Sequence, residues 1–134
     1  MECKTPGGQA FEIPTDWWRF ADMETFSRNE MRCYPVDPAA VDDLVPITEI
    51  EPPTRDAGVA PFKKAKLVPI LMAFASSHRL PPVEVNRLKP SAEYRYRIYD
   101  GFHRYYASVA VGYPMVPIVD VGTPKERRCG PTMG

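Results

Sequence analysis

Net charge is the first thing this chain lacks. Its 134 residues carry 17 Lys and Arg against 17 Asp and Glu, so no global field draws it to a DNA backbone or an anionic membrane surface. Any nucleic-acid binding would have to be local. Cysteine is scarce as well: Cys3, Cys33 and Cys129 are an odd number with no CxxC spacing. That fits free thiols in a reducing compartment better than a disulfide framework, and it argues against a thiolate metal site. Cys33 and Cys129 have no His or carboxylate at recognisable spacing and receive no role. Long apolar runs are missing too. The longest, Leu67 to Ala75, is interrupted by Pro69 and too short to span a bilayer, and MECKTPGGQ lacks the apolar segment of a signal peptide. The expectation is a soluble, cytoplasmic protein. There is no internal repeat and no low-complexity tract.

Proline, by contrast, is in excess. The 16 prolines are roughly twice the average usage of about 5% and fall between apolar segments, so many short elements with stiff connections are expected. Residues 1–14, with Gly7-Gly8, read as a loosely held arm that gains order only at Phe11 and Ile13. From Thr15 to Tyr34 the residues Trp17, Phe20, Met23, Phe26 and Met31 recur at mostly helical spacing, with Thr15 or Asp16 as N-cap. Val41 to Ile50 reads as extended, closed by Pro52-Pro53.

Pro61 to Arg79 is helical in composition, with an apolar stripe of Leu67, Ile70, Leu71 and Phe74. Pro69 leaves two options: a helix starting near Val68, or a separate short turn over Phe62 to Lys66. A strand over Val83, Val85 and Leu88 follows Pro81-Pro82. Tyr94, Tyr96 and Ile98 then alternate with Arg95, Arg97 and Tyr99, the period of a strand with one buried face. After Asp100-Gly101, His103 to Val111 is helical with Gly112 as C-cap, and Val116 to Val121 is a short buried strand. The class is α+β, a small mixed sheet packed against a few helices. Residues 1–40 form an arm and helical extension, 41–122 the main unit, and 123–134 a polar tail.

The chemistry concentrates in IYDGFHRYYASVAVGYPMVPIVDV, where a strand end, a glycine turn and a helix start fall within a few residues. Unpaired amides at a helix start, with the positive end of the helix dipole, favour an anion. Gly101 allows a tight turn and a close approach, while His103 and Arg104 supply side-chain donors at the rim. The plain alternative is a helix capped by Asp100 with a solvated Arg. His78, near a helix C-terminus, reads as structural. Trp17-Trp18 and YRYRIY could stack bases of a single strand. A core helix and a half-buried strand already account for them, and nucleic acid is not an expected partner.

The order of elements and the local strings resemble the ParB/sulfiredoxin superfamily over Leu44 to Val121. The strings are LVPITEIEPPTR, the Leu67 to His78 helix, PPVEV, YRYRIYDGFHRYYA and MVPIVDV. The resemblance implies a pocket for ATP, ADP or CTP with Mg²⁺, the phosphates held by Gly101, Phe102, His103 and Arg104, and the family's upstream Arg falling on Arg55. Two departures narrow the function. Phe102 stands where sulfiredoxins need their nucleophilic cysteine, so sulfur transfer is not expected. Little sequence follows MVPIVDV, so reading a DNA site as the chromosome-partition members do is not expected either.

The nearer comparison is the superfamily's small-molecule kinases, which phosphorylate free serine. On that reading the chain is an ATP- or ADP-dependent phosphotransferase acting on a small hydroxyl substrate. Asp100 or Asp56 would serve as base or metal partner, and Glu49 and Glu51 are further acidic candidates. No metal ligand set is assigned. The alternative is a non-catalytic nucleotide-dependent switch or adaptor whose N-terminal segment docks on a protein partner. A third reading is a nuclease of the ParB-like kind.

Overall fold

A strand that puts every second side chain on one face can bury Tyr96 and Ile98 while leaving Arg97 and Tyr99 in water. The computed structural model, which describes residues 1–53 and 62–122, uses the alternation in this way. Arg55, Asp56, Cys129 and the expected 123–134 tail lie outside the described residues. In chain order the elements are β1 (Glu2–Lys4), β2 (Ala10–Glu12), α1 (Thr15–Phe20), β3 (Asp43–Pro46), β4 (Ile50–Glu51), α2 (Lys64–Ala75), β5 (Val83–Arg87), β6 (Tyr96–Asp100), α3 (Phe102–Val111) and β7 (Met115–Asp120). β1 and β2 make an antiparallel hairpin, and the other strands form one five-stranded sheet ordered β3-β7-β5-β6-β4. β5 runs parallel to β7 and antiparallel to β6, β4 is parallel to β6, and β3 is antiparallel to β7. The class is α+β.

The sheet is curled, and chain connectivity requires it. β3 and β4 lie at opposite edges, yet only the 3-10 turn Ile47–Glu49 joins them. In a flat sheet the outer strands would stand roughly 19 Å apart, four spacings of about 4.8 Å. A 3-10 turn rises only about 2 Å per residue. The two edges must therefore approach each other. The expected single extended segment Val41 to Ile50 is thus two strands divided by a turn, because Pro46 begins a new local geometry.

One apolar core gathers Ile47 and Ile50 from that crossover, Leu67, Leu71 and Phe74 from α2, Val83 and Val85 from β5, Tyr105 and Ala107 from α3, and Val116 and Ile118 from β7. Phe11, Ile13, Met23 and Tyr34 belong to the same core. Residues 1–14 are accordingly no loose arm. β1 pairs with β2 from Glu2 opposite Glu12 to Lys4 opposite Ala10, and the N-terminal ammonium donates to the carbonyl of Ile13 at 2.8 Å. Phe11 packs edge-on against Tyr106 of α3 at 4.9 Å between ring centres.

Two helices depart from expectation. α1 ends at Phe20, and no helix continues to Tyr34. Asp22 takes a left-handed φ of 62° and Asn29 one of 53°, short polar residues that tolerate this conformation. The apolar spacing still buries Met23, but through turns, and Phe20 is left exposed. Neither Thr15 nor Asp16 caps α1; its N-cap is Pro14, with no side-chain bond. α2 is one continuous helix from Lys64 with Pro69 inside it, so neither expected placement of Pro69 holds. Pro69 is the sixth of the helix's twelve residues, so it forgoes the backbone bond to the Ala65 carbonyl and crowds that carbonyl, with its ring on the exposed face.

α2 closes with a left-handed Ser77, φ 59°. The amide of Ser77 donates to the Phe74 carbonyl at 3.3 Å and that of His78 to Ala73 at 2.9 Å, a Schellman arrangement that favours glycine at this position. Ser77→Gly should therefore stabilise the fold by about 0.5–1 kcal/mol. Urea unfolding would report this as a raised midpoint at constant slope, and an unmoved midpoint would contradict it.

Candidate functional site

The turn between β6 and α3 can be made only by glycine. Gly101 has φ 107° and ψ 26°, and a methyl group there would sit 3.0 Å from Arg104 Nη2 and 3.3 Å from the Val83 Cα. The Asp100 carboxylate accepts from the Gly101 amide at 2.9 Å. It therefore braces the turn and does not cap the helix. α3 begins one residue earlier than the spacing predicts, at Phe102, and no side chain caps it. Tyr105 N–H reaches the Gly101 carbonyl, which leaves the amides of Phe102, His103 and Arg104 without a partner among the described residues. Such a start, with the dipole behind it, attracts negative charge.

A second helix start meets the first. Lys63, the N-cap of α2, donates its amide to His103 Nε2 at 3.3 Å, and the Phe62 ring stands edge-on to the imidazole at 5.8 Å. Lys64 and Lys66 fall in the first turn of α2, which contains no acidic residue. Between the two helix starts lies a cleft of about 410 Å³ that Lys66 and Ile70 share with the whole Asp100–Arg104 turn. The expected residues Asp100, Gly101, Phe102, His103 and Arg104 are therefore brought together. The lysines are additional. The detectable signal was KKAK at a helix start, where cations oppose the dipole.

The site is electropositive, and His103 registers it. Partial burial holds the imidazole below its ordinary range, and the charges of Lys66, Lys63 and Arg104 push it in the same direction. A neutral ring also suits the geometry, since Nε2 must keep a lone pair to accept from Lys63. Arg104 does not stand at the rim. It is half-buried beneath the turn, with Nη2 donating to the Pro82 carbonyl at 3.3 Å and Nε buried without a hydrogen bond among the described residues. Phe102 is the exposed aromatic of the turn.

The acidic candidates separate. Asp100 lines the cleft, whereas Glu49 and Glu51 pair with Arg95 and Arg97 at 3.4 and 2.7 Å and do not line it. These exposed pairs are worth little individually. They do occupy the arginines of YRYRIY, which would otherwise be free for a nucleic-acid backbone. Among the described residues no three His, Cys, Asp or Glu side chains form a group able to hold a metal, and no helix is long and apolar enough to cross a membrane. Cys3 and Cys33 are free thiols. No protein-family model matches the chain, and no curated protein is significantly similar to it.

Proposed function

We propose that the cleft between the starts of α2 and α3 binds the phosphate chain of a nucleotide (ATP, ADP or CTP) accompanied by Mg²⁺, in a domain of the ParB/sulfiredoxin kind. The observation that carries this reading is the convergence of two helix N-termini on one cleft, joined by the Lys63 to His103 hydrogen bond. Lysine at a helix start is unfavourable by about 0.3–1 kcal/mol per residue, and Lys63, Lys64 and Lys66 all accept that cost. A bound phosphate reverses the sign for Lys66, which lines the cleft, and for Lys63, whose charge reaches His103, while the Lys64 ammonium lies over Phe20. The amides of Phe102, His103 and Arg104 would hold phosphate oxygens, with the Lys66 ammonium opposite. Phe102, 41% exposed, offers a ring on which a base can stack.

Mg²⁺, where bound, would shield the phosphate charges, and among the described residues Asp100 is the carboxylate lining this cleft. In a phosphotransferase Asp100 would accept the proton of the attacking hydroxyl. A non-catalytic switch is the second reading. It is favoured by the bond from Gly101 N–H to Asp100, which commits that carboxylate to bracing the turn.

Calorimetric titration with ATP, ADP and CTP, each with and without Mg²⁺, tests the site. Saturable binding that weakens about tenfold in Lys66→Ala is the expected result, and no binding of any nucleotide at millimolar concentration would overturn it. Phosphate release that disappears in Asp100→Asn would then select the phosphotransferase. Tight binding without turnover would select the switch.

His103 makes binding pH-dependent. An anion in the cleft raises the depressed imidazole pKa, so binding takes up a proton on Nε2, where it replaces the bond from the Lys63 amide, and affinity is highest at low pH and falls as pH rises through the bound pKa. Repeating the titration in buffers of different ionisation enthalpy should reveal proton uptake in the wild type and less of it in His103→Gln. In the free protein the sign is opposite. A depressed histidine contributes stability present above its unfolded value and lost as pH falls below it.

A further inference from the structure

A second cavity lies at the other end of α2. This groove of about 990 Å³ is walled by Phe20, Phe26, Met31 and Met72 and floored by the C-terminal ends of α1 and α2. Its apolar side chains are unusually bare: Phe20 is 65% and Met72 46% exposed. Its polar character is one-sided. Both helices end in Schellman turns, which satisfy the carbonyls of Trp18, Arg19, Ala73 and Phe74. The carbonyls of Phe20, Ala21, Ala75 and Ser76 receive no donor from the chain among the described residues.

To these acceptors α2 adds the negative end of its dipole, and Asp22, on the groove wall, adds a carboxylate with no ion pair among the described residues. Arg19, the nearest arginine in sequence, is held by Glu24 at 3.1 Å. Among the described residues the one basic side chain lining the groove is His78, whose Nδ1 is bonded to Ser76 Oγ at 2.8 Å. The Phe20 ring already receives a cation on its face, the Lys64 ammonium at 5.5 Å. A groove with aromatic and thioether walls, carbonyl oxygens and a carboxylate complements a positive charge carried on an apolar body.

We propose that this groove is a binding site for an amphipathic organic cation, an ammonium group borne on an aromatic or branched apolar skeleton. Asp22 and the free carbonyls receive the charge, and Phe20, Phe26 and Met72 receive the skeleton. The site is independent of the cleft at Gly101, where the electrostatics have the opposite sign.

The test compares three probes of one shape and three charges: phenethylammonium, 2-phenylethanol and phenylacetate. Each is titrated into the full chain at about pH 8, above the usual histidine range, and followed by amide chemical shifts. The expected order is ammonium, then alcohol, then carboxylate. The ammonium should bind at least about fivefold more tightly than the alcohol, with shifts at Phe20, Asp22, Met72 and Ser76. Asp22→Asn keeps a residue that tolerates the left-handed backbone, and it should bring the ammonium close to the alcohol. Met72→Lys, on an exposed helical surface where lysine is a good helix former, should abolish ammonium binding. Equal affinities for the three probes would overturn the proposal. So would shifts centred elsewhere, an ammonium preference unchanged in Asp22→Asn, or no saturable shift at millimolar concentration.

Discussion

Lys66→Glu should weaken nucleotide binding about a hundredfold, the loss expected when a charge-assisted contact of about 1.5–3 kcal/mol becomes a repulsion, while making the free protein more stable. The two effects have opposite signs for one physical reason. Lys66 is the third residue of α2, where glutamate favours both the dipole and the exposed amides and a lysine opposes them. The reversal should stabilise the unliganded fold by about 0.3–1 kcal/mol. It also replaces one of the positive charges holding the His103 imidazole down, so the pKa of His103 should rise toward its ordinary range. Thermal unfolding, calorimetry and a histidine titration by NMR give the three readouts. A lysine kept only as a solvated surface residue would show the gain in stability and no change in binding, and that result would remove the case for a phosphate site at α2.

Gly101→Ala should destabilise the protein by about 2–3 kcal/mol. The backbone there, φ 107°, lies beyond the left-handed region that an alanine tolerates even at a cost. The added methyl would also meet the Val83 backbone at 3.3 Å, and β5 is held on both sides by β6 and β7 and cannot move away. The Arg104 guanidinium, 3.0 Å distant, can shift, but only by giving up its bond to Pro82. Urea unfolding measures the loss. Binding should fall as well, because the Phe102–Arg104 amides are aimed by this turn. An alanine variant of wild-type stability would show that the turn has an accessible alternative conformation and that its present geometry is not required.

Much of the sheet was legible in the residues themselves. YRYRIY alternates because β6 has one face on the core, and MVPIVDV is apolar without alternation because Val116, Pro117 and Ile118 of β7 are all buried, so both faces of the strand are covered. Gly112, φ 92°, ends α3 as its position suggested. α1 was legible only in part. Trp17, Phe20, Met23, Phe26 and Met31 fit a helical period, but Asp22 and Asn29 can adopt left-handed turns, and periodicity carries no information about where a chain stops being helical. The separation of β3 from β4 was hidden for another reason: LVPITEIE is locally extended whether or not its two halves pair with opposite edges of a sheet. Of the candidate site, the Asp100 to Arg104 turn was legible from a strand end, a glycine and a basic pair. Lys63, Lys64 and Lys66 were not, because KKAK is read as an ordinary solvated helix face until its place in the first turn of α2 is known.

By itself the sequence determined the α+β class, the glycine turn that opens α3, the balance of charge that leaves no global field, and the alternation that buries β6. Each of these depends on neighbours along the chain, on backbone sterics or on a period of two. Tertiary structure alone decided that the starts of α2 and α3 would face each other, through a hydrogen bond between residues 40 positions apart. It also decided that the far end of α2 would meet the end of α1 across a groove. These juxtapositions follow from how the curled sheet closes and how its core is filled, and a local pattern of apolar and polar residues is equally compatible with other ways of bringing the helix ends together.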